Sequence, residues 1–322
     1  MNDINPLVSV VVITYNSSET IIETLNSVKN QTYQNIELIV SDDCSTDNTV
    51  SVIREWLKNN TEHFIRTKLI EVQKNTGVAP NCNRGIREAH GEWIKVLSGD
   101  DLLPPNSITD YVNFVLTKPE CSICFGKFHF WGNNIELVQH NKEIYEREFY
   151  PYLRADWKTQ WRRIQETLFV PGPGLFYKKV LYNEVGGFDE RFPFAEEYPF
   201  TYNVLEKGYR IYFLDKEIYN YQIRENSLCR TKLGLHPRVF NSQYAYVRSV
   251  HFQKVVKHGY FLLALDEIIN YYLMSMKYKN SSNLKYRMAW CLKFLSPYCY
   301  ERKFRQWKNL LENKYKAHKR FQ

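Results

Sequence analysis

The sequence predicts an α/β fold: a doubly wound, mostly parallel sheet with a C-terminal helical extension. Three observations predict it. An apolar run, Leu7-Val8-Ser9-Val10-Val11-Val12-Ile13, stands near the start and suits a strand covered on both faces. Strand-like and helix-like segments alternate through the first hundred residues, the pattern of parallel strands joined by right-handed crossovers. Three of those strands end in polar clusters, at Thr14-Tyr15-Asn16, Asp42-Asp43 and Asp100-Asp101, and open α/β sheets bind ligands beyond the carboxyl ends of their strands.

The elements follow in order. Ser17 or Ser18 is placed to cap a helix whose Ile21, Ile22, Leu25 and Val28 share one face. Residues 36–40 read as a second strand that stops at Ser41-Asp42-Asp43. Thr46 and Asp47 offer caps for a helix carrying Val50, Ile53, Trp56 and Leu57. A third strand is expected over 68–72, a helix over 80–89 and a fourth strand over 93–97, ending at Ser98-Gly99-Asp100-Asp101. From 105 to 170 the pattern loosens, and aromatic and charged residues mix. Within that stretch Cys121-x-x-Cys124 runs into Phe125-Gly126-Lys127-Phe128-His129-Phe130-Trp131, whose alternation favours a buried strand over a redox pair or half a zinc site. Pro171-Gly172-Pro173-Gly174 and Gly186-Gly187-Phe188-Asp189 mark turns, and a helix is expected to begin near Glu196-Glu197. Residues 209–214 and 218–221 look like two short strands. Beyond 238 the periodicity is helical.

Composition narrows the class. The chain has 322 residues with 44% hydrophobic and 24% charged residues, which excludes wholesale disorder. Seven unevenly spaced cysteines read as reduced thiols. No apolar run of about 18 residues is present, and the first residues lack a secretory pattern, so a cytoplasmic protein is expected. The net charge of +8 is unevenly spread. Lys277 to Gln322 hold 13 Lys or Arg against Glu301 and Glu312, a net of +11, so residues 1–276 sum to −3.

The motifs then exclude several chemistries. There is no Gly-x-x-x-x-Gly-Lys-Ser/Thr loop, no Gly-x-Gly-x-x-Gly after the first strand, no Gly-x-Ser-x-Gly elbow and no zinc-like histidine spacing. Asp100 and Asp101 are adjacent carboxylates whose repulsion a divalent cation relieves, and hard oxygen donors suit Mg²⁺ or Mn²⁺ shared with a diphosphate. Glu196 and Glu197 read either as acids favoured by a helix's first turn or as a general base.

Taken in order, these residues resemble family 2 of the inverting glycosyltransferases, with the GT-A fold, of the bacterial surface-polysaccharide type. The resemblance covers roughly residues 6 to 230. It rests on Pro6 to Asn16, Ser41-Asp42-Asp43-Cys44-Ser45-Thr46-Asp47, Asn75-Thr76-Gly77-Val78 through Asn83-Arg84-Gly85-Ile86, Gly91-Glu92-Trp93-Ile94, Asp100-Asp101 and Gly186-Gly187-Phe188-Asp189. It implies a catalytic domain over 1–230 and a basic, aromatic-rich helical region over 231–322. It implies that Asp43, then Asp42, reads the uracil of a UDP-sugar. Thr14, Tyr15, Asn16, Arg84, Asp100 and Arg224 join them around the donor. Asp101, with Asp100, holds Mn²⁺ or Mg²⁺. Glu197 is the base, with Glu196 its rival. Two positions depart from the family pattern: Glu197 stands where Asp is common, and Arg224 where many members have a histidine. A guanidinium cannot ligate a metal but pairs with a diphosphate oxygen.

The resemblance further implies a glycan or lipid-linked glycan acceptor, and the aromatic stretch Trp157 to Trp161 suits either stacking on its sugar or packing. Phe304, Trp307, Leu310, Leu311 and Tyr315 share a helical face ringed by Arg302, Lys303, Arg305, Lys308 and Lys314. Such a face fits an anionic membrane surface, placing the enzyme on the inner face of the cell membrane, or packs on the body. Nucleic acid is not expected, because no recognition motif accompanies the basic tail. The rival reading is a catalytically inactive nucleotide-sugar-binding or membrane-associated scaffold of the same fold, which a lost acid at 43, 101 or 197 would have favoured. A sugar-phosphate nucleotidyltransferase would need a glycine-rich triphosphate loop, which is absent.

Overall fold

The computed structural model describes residues 5–166, 172–223 and 237–261, together with 230–231, 234–235, 263, 265–266 and 269. The chain divides into two compact units, Met1–Gln243 and Tyr244–Gln322.

The first unit opens with strand–helix alternation. Strand β1 (Val8–Thr14) leads to helix α1 (Ile21–Lys29), β2 (Ile36–Asp42), α2 (Thr49–Lys58), β3 (Arg66–Glu71), α3 (Val78–Glu88) and β4 (Trp93–Ser98). β1 and β2 are buried along nearly their whole length. Each of their enclosed valines contributes roughly 1.5–3 kcal/mol relative to exposure, which is why apolar runs sit at the sheet's centre. Neither Ser17 nor Ser18 caps α1: its N-cap is Thr20, whose side chain makes no capping bond. Ser17 contributes its carbonyl instead, accepting from the N–H groups of Thr20 and Ile21.

The segment from 105 to 166 is more regular than its mixed composition suggests. It forms α4 (Ser107–Leu116), β5 (Ile123–Trp131), α5 (Ile135–Ile144), a π-helical turn (Tyr145–Phe149), α6 (Tyr150–Arg154) and α7 (Trp157–Glu166). Its order comes from aromatic packing rather than from a clean helical stripe. Phe128 stacks on Tyr221 at 5.4 Å and also meets Phe125, Phe130, Tyr145 and Tyr219. Cys121 and Cys124 are free and buried at the start of β5, as a strand reading requires.

After β6 (Leu175–Lys178), α8 (Lys179–Glu184) and α9 (Glu197–Glu206) comes β7 (Tyr212–Gln222). β7 is one strand where the sequence suggests two. The register steps from Gly126↔Leu214 to Lys127↔Glu217, so Asp215 and Lys216 bulge outward. Their charges break the apolar alternation while reaching Arg154 and Asp110. The pair β8 (Arg230–Thr231) and β9 (Gly234–Leu235) forms a separate antiparallel ribbon, and α10 (Pro237–Tyr246) follows.

Seven strands pair in the order β3-β2-β1-β4-β6-β5-β7. β3, β2, β1 and β4 are parallel, β6 runs antiparallel to β4 and β5, and β5 pairs in parallel with β7. Thr14 lies opposite Asp42, and Ile13 opposite Ser98. The three polar strand ends therefore share one edge of the sheet.

In the second unit a π-helical turn (Val247–His251) leads into α11 (Phe252–Lys257). Val255 and Leu263 are buried there against Phe252, Val256 and Tyr260. The residues of the basic amphipathic face, 302–315, lie outside the described residues.

Candidate active site

The loops after β1 and β2 are stitched together by short polar side chains. Asp43 N donates to Thr14 O (3.0 Å), Asn16 N to Ser45 Oγ (2.8 Å) and Thr46 N to Asn16 Oδ1 (2.8 Å). Ser17 N donates to Thr49 Oγ1 and Ser18 N to Asp47 Oδ2. Asn16 (φ 52°) and Cys44 (φ 67°) adopt left-handed backbone to make the turns, a region that asparagine tolerates better than most residues. Burial raises the Asp47 carboxyl, but hydrogen bonds from Thr49 and Ser18 outweigh it and bring its pKa down to about 2.

This stitching sorts the residues expected around a donor. Asp42 builds the loop: its two oxygens take Ser45 N (2.8 Å) and Ser45 Oγ (2.5 Å). Asp43, only 2% exposed, faces α3. Its Oδ2 accepts from Thr76 N (2.9 Å) and Gly77 N (2.7 Å), and its Oδ1 from Thr76 Oγ1 (2.8 Å) and Arg84 Nη2 (2.5 Å). Four donors fill the roughly four lone-pair sites of a carboxylate. Gly77 sits at φ 98°, and a side chain there would meet Pro193 at 2.6 Å, so the close approach of the 193 turn to this Asp43 donor requires glycine. Tyr15 projects outward, 39% exposed. Thr14 Oγ1 and Arg84 Nε are buried with no hydrogen-bond partner among the described residues.

Asp100 and Asp101 follow β4, where Gly99 N is held by Ile13 O (2.9 Å) and Asp101 N closes a turn on Ser98 O (3.2 Å). Asp100 is half-buried and Asp101 buried. Asp101 Oδ2 accepts from Tyr219 Oη (2.8 Å) and Oδ1 from Gln222 N (3.2 Å). Burial and then the charge of Asp100 push the Asp101 carboxyl up to about 7, against those two hydrogen bonds. A divalent cation fits this pair, since it removes the excess negative charge that raises the pKa and finds hard oxygen donors. Among the described residues no group of three or more His, Cys, Asp or Glu side chains converges on one point. Asp100 and Asp101 are the hard oxygen donors that a cation would meet at this strand end.

Glu197 is the first residue of α9 and Glu196 its N-cap. Both keep part of their surface accessible while lying deep among protein atoms. Burial drives the Glu197 carboxyl well above the carboxylate range, and the charge and hydrogen bond of Glu196 raise it further, against an N–H bond from Gly172. Glu196 rises to about 7 through burial, moderated by the same pair bond. The hydrogen bond between the two carboxyls raises Glu197 and lowers Glu196, so the two act as one unit. The pair also lies near the fully buried Cys82 thiol of α3, which burial and then the two glutamates push well up.

Trp157 and Trp161 pack rather than project. Trp157 Nε1 donates to Leu205 O (2.9 Å), and Trp161 stacks on Trp157 and meets the Tyr202 ring edge-on. Arg224 lies outside the described residues. Sequence reasoning missed Thr76 and Gly77 on Asp43, Tyr219 on Asp101, and Gly172 on Glu197. Of these only Thr76-Gly77 carried a signal, as polar and glycine residues just before a helix.

Residues 9–183 match the family model described as Glycosyl transferase family 2. Glycosyltransferase GlyG of Streptococcus pneumoniae is 28% identical over 237 residues, 71% of this chain and 75% of its own. Among solved structures, S. aureus TarS 1-349 in complex with UDP-GlcNAc superposes with a TM-score of 0.54 at 22% identity, covering 82% of this chain and 81% of that one. Mannosyltransferase PcManGT from Pyrobaculum calidifontis, in complex with GDP-Man and Mn²⁺, gives 0.55 at 20% identity over 91% and 88%. At these identities the two structures establish the shared fold, the mostly parallel α/β sheet of GT-A enzymes.

Proposed function

The chain belongs to glycosyl transferase family 2, and from that premise we propose that it transfers a hexose or N-acetylhexosamine from a UDP-sugar to a hydroxyl of a glycan acceptor, inverting the anomeric carbon. The observation that carries this reading is the Glu196–Glu197 pair, two carboxyls set deep at the start of α9 and hydrogen-bonded to each other. Burial raises both carboxyls above the ordinary carboxylate range, as general-base work near neutrality calls for.

The Glu197–Glu196 pair takes the proton of the acceptor hydroxyl, with Glu197 as the base and Glu196 as its rival. The oxygen attacks the anomeric carbon from the face opposite the nucleotide. The bond from that carbon to the diphosphate breaks, and its electron pair leaves with UDP through an oxocarbenium-like transition state. Thr14, Tyr15 and Asn16 flank the base and ribose. A uracil imide read by Asp43 takes the place of one of its four present donors, and Arg84 is the neighbour that then turns to the donor. Asp100 and Asp101 would hold Mn²⁺ or Mg²⁺, which when bound would neutralise charge on the departing diphosphate. Arg224 adds a guanidinium for the same diphosphate. The complexes of TarS with UDP-GlcNAc and of PcManGT with GDP-Man and Mn²⁺ support a nucleotide-sugar donor and a cation. A lipid-linked oligosaccharide of surface polysaccharide is the acceptor that best joins this chemistry to the basic tail.

The test is nucleoside diphosphate release from a panel of sugar nucleotides with and without Mn²⁺, followed by Glu197→Gln and Glu196→Gln. Glu197→Gln is expected to lower transfer by about 10²–10⁴-fold while leaving donor binding intact. Unchanged turnover in Glu197→Gln removes it from the base role, and silence across donors and acceptors favours a binding protein.

A further inference from the structure

β4 lies at the centre of the sheet between β1 and β6, yet its third residue is a lysine. Lys95 is 0% exposed. Its Nζ donates to Pro173 O and to Leu175 O (3.3 Å). It also lies 4.6 Å from the centroid of the Tyr219 ring and 5.7 Å from that of Tyr111. The two carbonyls it grips bracket a tight turn. Leu175 N closes that turn on Gly172 O (2.9 Å), while Tyr111 Oη (2.7 Å) and Gly126 N (2.9 Å) both donate to Gly174 O. Gly172, at the head of the turn, donates its own N–H to the Glu197 carboxyl. It packs so closely that a Cβ there would fall 2.1 Å from Glu197 Cγ. On its other side Lys95 reaches the metal end of the crevice, since the Tyr219 hydroxyl under its ammonium donates to Asp101.

An ammonium in a buried parallel strand is costly unless fixed partners repay its desolvation. An apolar side chain would serve the sheet as well. We propose that Lys95 is a positioning residue of the transfer reaction: it draws the Pro173 and Leu175 carbonyls onto β4 and so holds the Gly172 N–H against Glu197. The inference rests on the glycosyl-transfer reading of the site and adds a residue to it. Burial lowers the Lys95 ammonium to about 7, with the charges of Asp101 and Cys124 pushing back, and either form of the amine keeps N–H donors for the two carbonyls. Glu197 is faced by Glu196 on its own segment, by Cys82 from α3 with Arg84 behind it, and by the Gly172 N–H. Of these, only the Gly172 bond depends on Lys95.

Lys95→Met keeps the volume and removes the donors. Its kcat is expected to fall by about tenfold or more through the misplaced base, with the donor KM within about twofold. The acidic limb of the kcat–pH profile should move upward, because losing the Gly172 bond disfavours ionised Glu197. The Leu175 amide should also exchange faster in deuterated water. A variant with wild-type kcat and an unmoved acidic limb overturns the proposal, as does a loss confined to KM. A wild type silent toward every donor and acceptor overturns the transfer reading itself, and Lys95's role with it. Should Lys95→Met fail to fold, Tyr111→Phe, which loosens the same turn at Gly174, must lower kcat and move the limb in the same direction. An unchanged Tyr111→Phe then overturns the proposal.

Discussion

Glu37, at the end of β2 remote from the candidate active site, shows how a single buried charge binds several elements. Its carboxylate accepts from Ser9 Oγ of β1, from Arg66 Nη1 of β3 (3.3 Å), and from the N–H groups of His90 and Gly91 before β4. Burial pushes its pKa up, but those bonds prevail and the net shift is downward from 4.5. A depressed carboxyl stabilises the fold above its unfolded pKa and loses that contribution as pH falls through the folded value. Glu37→Ala should therefore cost about 3 kcal/mol at neutral pH, measured by urea denaturation. The gap between wild type and variant should shrink as the pH drops below about 4.5. Single residues also mark the limit of sequence reading. Asp42 and Asp43 look alike as neighbours after a strand, yet one is a turn-builder on Ser45 and the other is saturated by Thr76, Gly77 and Arg84. Only the direction each side chain takes from the pleat separates them.

At the scale of elements, the central strands and their helices were legible because burial on both faces writes apolar runs into the sequence. Boundaries moved by one or two residues, as at β4, expected over 93–97 and found over Trp93–Ser98. Apart from β5, the region from 105 to 166 was not legible, nor was the bulge that makes β7 a single strand. There the packing depends on aromatic rings meeting across elements, and on charges carried outward by a bulge. The turn at 172–174 was read as punctuation, and the structure makes it the wall behind Glu197. Gly172→Ala should displace that carboxyl and lower kcat by about 100-fold, with a melting temperature close to wild type. A normal kcat in the folded variant would show that the turn has room to shift.

At the scale of the whole molecule, residues 1–276 are slightly acidic, and on the proposed reading the acids at one sheet edge would need a cation to meet an anionic donor. The +11 of residues 277–322 does other work. On the proposal that this region meets an anionic membrane, the full chain should cosediment with phosphatidylglycerol vesicles at low salt and be released near 0.5 M NaCl, because the Debye length shrinks to a few ångströms there. Equal binding to uncharged vesicles would reject the electrostatic part of that reading. Among the described residues no helix is long and apolar enough to cross a membrane.

The sequence by itself determined the fold class, the family and the edge of the sheet where chemistry gathers. Those properties are written locally, in runs of apolar residues and in polar residues at fixed distances after them. The tertiary structure decided which acids are saturated, which ones burial lifts, and which carbonyls the lysine inside β4 grips. Their partners can lie 40 to more than 100 residues away, as with Asp43 and Arg84 or Asp101 and Tyr219. Burial and hydrogen bonding at such separations set a carboxyl's charge, and no local pattern records them.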